Sequence, residues 1–145
     1  MDYRTVFNVS AAGMDVEKLR LDTAALNLAN MDTSAAPGAT PFKPLRVVSQ
    51  AAVPPFQHWM SMEYLAHASG LPRAAVVESD VAPRIVHDPA DPHADANGDV
   101  RYPGVNHTGE MLTVMSALRA YEANVAALGA AKAMASHALE IGGQS

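Results

Sequence analysis

The placement of proline constrains the fold of this 145-residue chain more than any other feature. All ten prolines lie between Pro37 and Pro103, and none lies in residues 1–36 or 104–145. Because proline removes a backbone donor and breaks helix interiors, the two terminal segments are free to form long helices and the middle is not. The sequence therefore predicts three parts, with boundaries near residues 36 and 105.

The N-terminal part, residues 1–36, carries a heptad pattern. Alternating steps of four and three meet an apolar residue at six of seven positions, which are Phe7, Ala11, Met14, Lys18, Leu21, Ala25 and Leu28. This period predicts an amphipathic helix that runs to about Asn30. The loop residues Asp32–Ser34 and Ala36–Gly38 then follow.

The C-terminal part, residues 106–145, repeats the pattern more strongly. Steps of three and four meet apolar residues at eight of nine positions, which are Met111, Val114, Leu118, Tyr121, Val125, Leu128, Lys132, Ala135 and Leu139. Asn106 suits an N-cap, Glu110 lies in the first turn, and Gly142-Gly143 ends the run. The two terminal helices are expected to pair as a coiled coil through these apolar seams.

Two features qualify the pairing. Lys18 and Lys132 interrupt the seams, and each either fixes register or partner choice or extends its amine past the helix edge.

Alanine fills positions of the C-terminal helix where a solvated coiled coil carries Glu and Lys. Alanine is also the best helix former, but dense packing against other chains explains both the alanine and the scarcity of charge. A helix of 35 residues is roughly 50 Å long, longer than a domain of this size covers by itself.

The middle, residues 37–105, is expected to form a small β-rich module. Residues 45–48, 75–78 and 84–87 have β-rich composition, and Asn97-Gly98 before Val100–Tyr102 is a hairpin signal. The fold class predicted is therefore α+β. Between Pro54 and Pro72 an apolar cluster around Trp59 is interpreted as core of the module, as a contact surface or as a mobile insertion.

Composition excludes several functions. Only 17% of residues are charged, against about 25% in an average domain, which indicates a surface covered by another protein. No apolar run reaches a membrane span, and charges in the first 30 residues leave no hydrophobic core for a cleaved signal peptide. The net charge of −5 gives no basic stripe for nucleic acid. The absence of cysteine removes disulfides, thiolate nucleophiles and cysteine-ligated zinc.

The best candidate for chemistry is the stretch from His87 to Asp99. Its alternating Asp and Asn residues before Gly98 resemble a calcium loop, but that register puts His93 first and Gly104 twelfth, where carboxylates belong. The same residues are typical of a turn in which Asp and Asn bond to nearby backbone. The six histidines form no helical zinc pair, and no serine elbow or phosphate loop is present. The sequence predicts no catalytic residues, no cofactor and no metal.

Two segments resemble the flagellar axial proteins of the rod and hook group. The first is Leu26-Asn27-Leu28-Ala29-Asn30 followed by Asp32-Thr33, which is similar to an asparagine-rich N-terminal signature. The second runs from Asp88 to Asn106 and continues through Gly109–Met111, Met115–Ala117, Arg119–Tyr121 and Ala123–Val125, and it is similar to proximal rod proteins. The resemblance covers roughly residues 3–50 and 74–142, and its C-terminal part is the more specific.

The resemblance implies a structural subunit of the bacterial flagellar basal body, not an enzyme. Its terminal helices would pack with copies of itself and with other rod proteins into the tubular rod that crosses the periplasm and transmits torque. Export would use the flagellar type III apparatus without a cleaved signal peptide and without membrane insertion. The expected assembly residues are Phe7, Met14, Leu21, Asn27, Leu28, Asn30, Met111, Val114, Leu118, Tyr121, Val125, Leu128 and Leu139.

The sequence is compatible with three alternative functions. The chain could be another axial protein of the same group, or a free-standing helical-hairpin adaptor that binds one partner. The third alternative is a metal-dependent enzyme that uses the loop from His87 to Asp99.

Overall fold

Two long helices bracket four short strands in this computed structural model, which describes residues 3–50 and 72–142. In chain order the elements are α1 (Tyr3–Asn30), β1 (Leu45–Gln50), β2 (Arg73–Glu78), β3 (Arg84–His87), β4 (Asp99–Tyr102) and α2 (His107–Gly142). The predicted α+β class is confirmed. The apolar cluster around Trp59 lies outside the described residues.

Both helix boundaries that the sequence marks with asparagine are confirmed. The Asn106 side chain accepts a hydrogen bond from the Gly109 N–H at 3.1 Å, which makes it the N-cap of α2. Helix α1 ends at Asn30, whose Nδ2 donates to the Leu26 carbonyl at 2.8 Å. The Leu26 carbonyl lies just before the last four residues of α1, so this bond holds the Asn30 side chain against its own helix.

The four predicted strands form two separate two-stranded sheets, β1 with β2 and β3 with β4. Strands β3 and β4 are antiparallel, with Arg84 opposite Tyr102 and His87 opposite Asp99. The turn before β4 needs Gly98, which has φ of 81° and whose Cβ, if present, would lie 2.8 Å from Cε1 of His87. Among the described residues no helix is both long enough and apolar enough to cross a membrane.

The described chain divides into two compact units. The first contains residues 3–19, 48–50, 72–75 and 117–142, and the second contains Arg20–Val47 and Val76–Ser116. Each helix therefore contributes to both units, and β3 and β4 lie wholly in the second.

In the first unit the two helices approach closely at Gly13. A Cβ built on Gly13 would lie 2.8 Å from Oδ1 of Asn124, so a glycine is needed for the backbone to come this near. The Asn124 side chain is itself held, because its Nδ2 donates to the Ala120 carbonyl at 2.9 Å. This contact joins two small or polar residues.

In the second unit the helices meet through a hydrogen bond, which runs from Nδ2 of Asn27 to Oε1 of Glu110 at 3.1 Å. Gly13 and Asn27 are separated by fourteen residues, as are Glu110 and Asn124. Fourteen residues are two heptads, so within each helix the two contact residues occupy equivalent heptad positions.

The most deeply buried positions of the two helices are not those of the apolar seams, whose members are half-buried or exposed. In the described part of α2 the buried residues are Ala117 and Ala131, and in α1 a buried series with seven-residue spacing is Ser10, Glu17 and Ala24. The most buried side chains of α2 are thus small, and those of α1 are small or polar apart from Val16, which is 7% exposed. Apolar periodicity cannot detect such a seam, because it counts hydrophobic residues wherever they face.

Replacing Gly13 tests the close approach. Gly129→Ala is the matched control, since nothing lies within 4 Å of a Cβ there, and it should raise the free energy of unfolding by up to about 1 kcal/mol through helix propensity. Gly13→Ala has the same propensity gain but must displace Asn124, so we expect it to be about 1–2 kcal/mol less stable than the control. Urea unfolding of the purified chain measures both.

The double variant identifies the cause. In an Asn124→Ala background, Gly13→Ala should be as favourable as Gly129→Ala, because the displaced amide is gone. Equal effects of the two glycine substitutions in the parent chain would show that the approach at Gly13 is not close.

Candidate functional site

The Asn27 side chain joins three elements of the second unit. It is 1% exposed. Its Oδ1 accepts the Leu45 N–H at 2.8 Å, and its Nδ2 donates both to the Leu45 carbonyl at 2.8 Å and to Glu110. The amide thus pairs with both backbone groups of Leu45 as a neighbouring strand would. We refer to Asn27, Leu45 and Glu110 as the asparagine junction.

Only an amide can make these bonds. In an ionised Asp at position 27, the oxygen that replaces Nδ2 would face two other acceptors, the Leu45 carbonyl and the Glu110 carboxylate. It could donate to neither, because an ionised Asp has no donor. An apolar residue would leave both backbone groups of Leu45 without these partners. The junction therefore gives a physical reason for asparagine in the Leu26–Asn30 motif.

A second set of contacts holds the segment after α1 against the β3–β4 hairpin. The Ala35 N–H donates to the Arg101 carbonyl at 3.0 Å, and Arg84 pairs with Asp32 at 3.3 Å. The Arg84 guanidinium also lies over the Tyr102 ring, 5.0 Å from its centroid. This network is exposed, so it fixes geometry more than it stabilises the fold.

The loop from Asp88 to Asp99 uses its carboxylates on its own backbone. Oδ1 of Asp88 accepts from the Ala90 N–H, Oδ1 of Asp91 from the His93 N–H, and Oδ1 of Asp95 from the N–H groups of Asn97 and Asp99. These bonds define consecutive Asx turns, which confirms the turn interpretation of this stretch. In the described residues no group of three or more His, Asp or Glu side chains could hold a metal ion.

Two pKa shifts follow from this geometry. The backbone N–H groups of Asp99 and then Asn97 hold the pKa of the Asp95 carboxyl below its ordinary value, because they stabilise the ionised form. Desolvation raises the pKa of Tyr102. The negative charge of Asp91, whose Oδ2 accepts the Tyr102 hydroxyl at 3.2 Å, adds to that rise.

Ser34, His93 and Asp91 lie together and are the residue types of a hydrolase triad. In a triad the imidazole meets the serine and the carboxylate through different nitrogens. Here Nδ1 of His93 lies 2.7 Å from Oγ of Ser34 and 3.8 Å from Oδ1 of Asp91. Because a single nitrogen faces both groups, the arrangement ties residue 34 to the loop and does not relay a proton.

An exposed apolar stripe runs along α2. It consists of Met111, Leu118, Val125 and Leu139, which are spaced by multiples of seven and are 45%, 47%, 47% and 78% exposed. We call these four residues the apolar stripe. Lys132 lies in the same row between Val125 and Leu139 and interrupts the stripe. Exposed apolar patches are a common feature of protein interaction surfaces.

The structure separates the sequence-predicted assembly residues into three groups. Asn27 is buried, the four residues of the apolar stripe are exposed, and the others are half-buried, namely Phe7, Met14, Leu21, Leu28, Asn30, Val114, Tyr121 and Leu128. The apolar periodicity of the sequence does not indicate the contacts at Gly13 and Asn124. The sequence contains a second heptad series in which each member immediately precedes a position of the apolar series. Its members are Glu110, Ala117, Asn124 and Ala131.

Comparisons with known proteins identify the class. A family model described as flagellar basal body rod FlgEFG protein C-terminal matches residues 96–141, which include β4 and nearly all of α2. This part of the chain is therefore similar to flagellar rod proteins.

Individual relatives are more specific. The chain is 35% identical over 137 residues to the flagellar basal-body rod protein FlgC of Salmonella typhimurium, covering 94% of this chain and 96% of that protein. It is 35% identical over 142 residues to FlgC of Bacillus subtilis, with 93% and 95% covered. For FlgC of Aquifex aeolicus the identity is 30% over 135 residues, with 91% of each covered. The chain belongs to the FlgC family of flagellar basal-body rod proteins.

Removing the Asn27 amide should destabilise the chain strongly. Asn27→Ala leaves both backbone groups of Leu45 without these partners, and we expect the free energy of unfolding to fall by about 2–4 kcal/mol. Asn30→Ala is the matched control on the same helix, because Asn30 bonds to its own helix at Leu26, and it should cost no more than about 1 kcal/mol. Urea unfolding of both variants measures the difference, and equal losses would contradict the role of the junction.

Acid should loosen the turn at Asp95. A carboxyl whose pKa is depressed in the folded state stabilises that state above the unfolded pKa of about 3.9. This stabilisation is lost as the pH falls through the folded value. The protection of the Asn97 and Asp99 amides, which is their hydrogen-exchange rate relative to an unstructured chain at the same pH, should therefore fall below about pH 4.

Two variants check the cause at Asp95. Asp95→Asn keeps an acceptor oxygen and should retain amide protection that changes little with pH, whereas Asp95→Ala should show low protection at every pH. Unchanged protection in Asp95→Ala would rule out the carboxylate as the acceptor.

Proposed function

We propose that this chain is a structural subunit that packs through its terminal helices into the tubular rod of the flagellum, which acts as a drive shaft and transmits torque for motility. The single observation that carries this proposal is the apolar stripe, which the chain leaves exposed. The proposed assembly residues are those predicted above, within the terminal segments 1–36 and 106–145. Residues 37–105 form the central module in this proposal.

The length and charge of α2 support packing against other chains. At 36 residues the helix is about 54 Å long, and its charged residues are only Glu110, Arg119, Glu122, Lys132 and Glu140. A helix with so little charge and a row of exposed apolar side chains is stabilised mainly by tertiary or quaternary contacts. Neighbouring subunits would supply those contacts.

The internal seam suits a load-bearing wall. Small residues such as Gly13, Ala117 and Ala131 let helices approach closely, and closely packed interiors resist deformation. The buried asparagine junction also ties the N-terminal helix to β1 and to the start of α2. Torque would then pass through packed side chains without any chemical step.

Partners and location follow from the family. FlgC relatives are named as basal-body rod proteins, so the chain assembles with rod proteins in the basal body. We further propose that copies of this chain and other rod proteins are direct neighbours in the part of the rod that spans the periplasm. Export would use the flagellar type III apparatus and no cleaved signal peptide.

A charge in the apolar stripe should block assembly without unfolding the chain. Leu118 is half exposed, so Leu118→Asp should leave the circular dichroism of the purified chain near that of the parent. In the rod the carboxylate would be buried without a partner, at a cost of several kcal/mol per subunit. We therefore expect a strain that has only this variant to lose swimming in soft agar and to lack the protein in its basal-body fraction.

Leu118→Met is the matched control, because it keeps an apolar side chain of similar volume. It should swim and enter basal bodies like the parent. A Leu118→Asp chain found in basal bodies at the parental level would contradict a packing role for the stripe.

A further inference from the structure

Two methionines lie on the exposed face of α2 near its start. Met111, in the apolar stripe, is 45% exposed and Met115 is 54% exposed, whereas Met14 and Met31 are half-buried. Oxidation of methionine depends on access to its sulfur. These two side chains are therefore open to an oxidant in the single chain.

Helix geometry places both methionines in the surface that we propose for assembly. At 100° per residue, Met115 lies about 40° and Leu118 about 20° around the axis from Met111. Met134 is also exposed, at 53%, but it lies about 140° from Met111. It therefore provides an internal reference with the same chemistry on a different face.

We propose that Met111 and Met115 are sites of reversible oxidation by hydroperoxides in the unassembled chain, and that their sulfoxides prevent incorporation into the rod. This inference rests on the proposed function. In each reaction a sulfur lone pair attacks the outer oxygen of the peroxide, the O–O bond breaks and an S–O bond forms. The thioether is oxidised to the sulfoxide, and hydrogen peroxide is reduced to water.

The effect on packing follows from polarity. The sulfoxide oxygen is a strong hydrogen-bond acceptor, whereas the thioether of methionine is apolar and flexible. Burying that acceptor against an apolar neighbour without a donor is unfavourable. Methionine sulfoxide reductases reverse the reaction, so the modification acts as a switch on assembly and not as permanent damage.

The chemistry is tested on the purified full chain with hydrogen peroxide, followed by peptide mass spectrometry over time. We expect the peptides that contain Met111 and Met115 to gain oxygen at least about threefold faster than those with Met14 and Met31. Addition of both methionine sulfoxide reductases with a dithiol reductant should remove the added oxygen, which leaves as water while the dithiol is oxidised to a disulfide. Equal rates at all four sites would overturn the proposal.

The consequence is tested with paired substitutions in a strain that lacks the parent chain. Met111→Gln with Met115→Gln places polar groups at the oxidation sites, and we expect at least about a tenfold lower amount of this variant in basal bodies. Met111→Leu with Met115→Leu keeps both sites apolar and should match the parent. Circular dichroism verifies that both pairs are folded, which is expected at exposed helix positions with good helix formers.

The outcomes separate this inference from the proposed function. If the parent enters basal bodies and the glutamine pair enters equally well, the oxidation switch is wrong and the rod function stands. If the parent itself is absent from basal bodies, both are wrong. Met134→Gln should enter like the parent, and a loss as large as that of the glutamine pair would overturn the assignment to Met111 and Met115.

Discussion

The buried amide of Asn27 is the interaction on which the second unit depends. It forms hydrogen bonds with the backbone N–H and carbonyl of Leu45 and with the side chain of Glu110 in the first turn of α2. A helix, a strand and the start of another helix are thus positioned by one side chain that is almost wholly buried. Buried polar networks of this kind specify a single arrangement when every member has a partner. In the described residues no buried side-chain polar atom lacks one.

The contacts between the helices at Gly13 and Asn27 involve small and polar side chains, whereas the apolar stripe is exposed. Gly13 and Asn124 allow close approach, and Ala117 and Ala131 are the buried side chains of α2. Side chains of this size contribute little hydrophobic stabilisation. The apolar stripe and Leu112 are exposed in the single chain, whereas Val114, Tyr121 and Leu128 are half-buried.

Much of the fold could be predicted from local signals. The absence of proline from the terminal segments predicts both helices, Asn106 and Asn30 predict two helix ends, and Asn97-Gly98 predicts the hairpin turn. Each of these signals acts within a few residues. The seam could not be predicted in the same way, since apolar periodicity shows which face is hydrophobic but not whether the same chain covers it. The bond between Asn27 and Glu110 links residues 83 positions apart, and nothing local at either residue indicates the other.

The same sequence separations set an order in which the asparagine junction can form. The Asn27 bonds to Leu45 close a loop of 18 residues, whereas the bond to Glu110 closes one of 83. Loop-closure entropy grows with the logarithm of length, so the longer closure costs about 1.4 kcal/mol more. We expect the strand to dock first and the C-terminal helix to arrive last. The asparagine junction would then be completed only when α2 reaches Asn27.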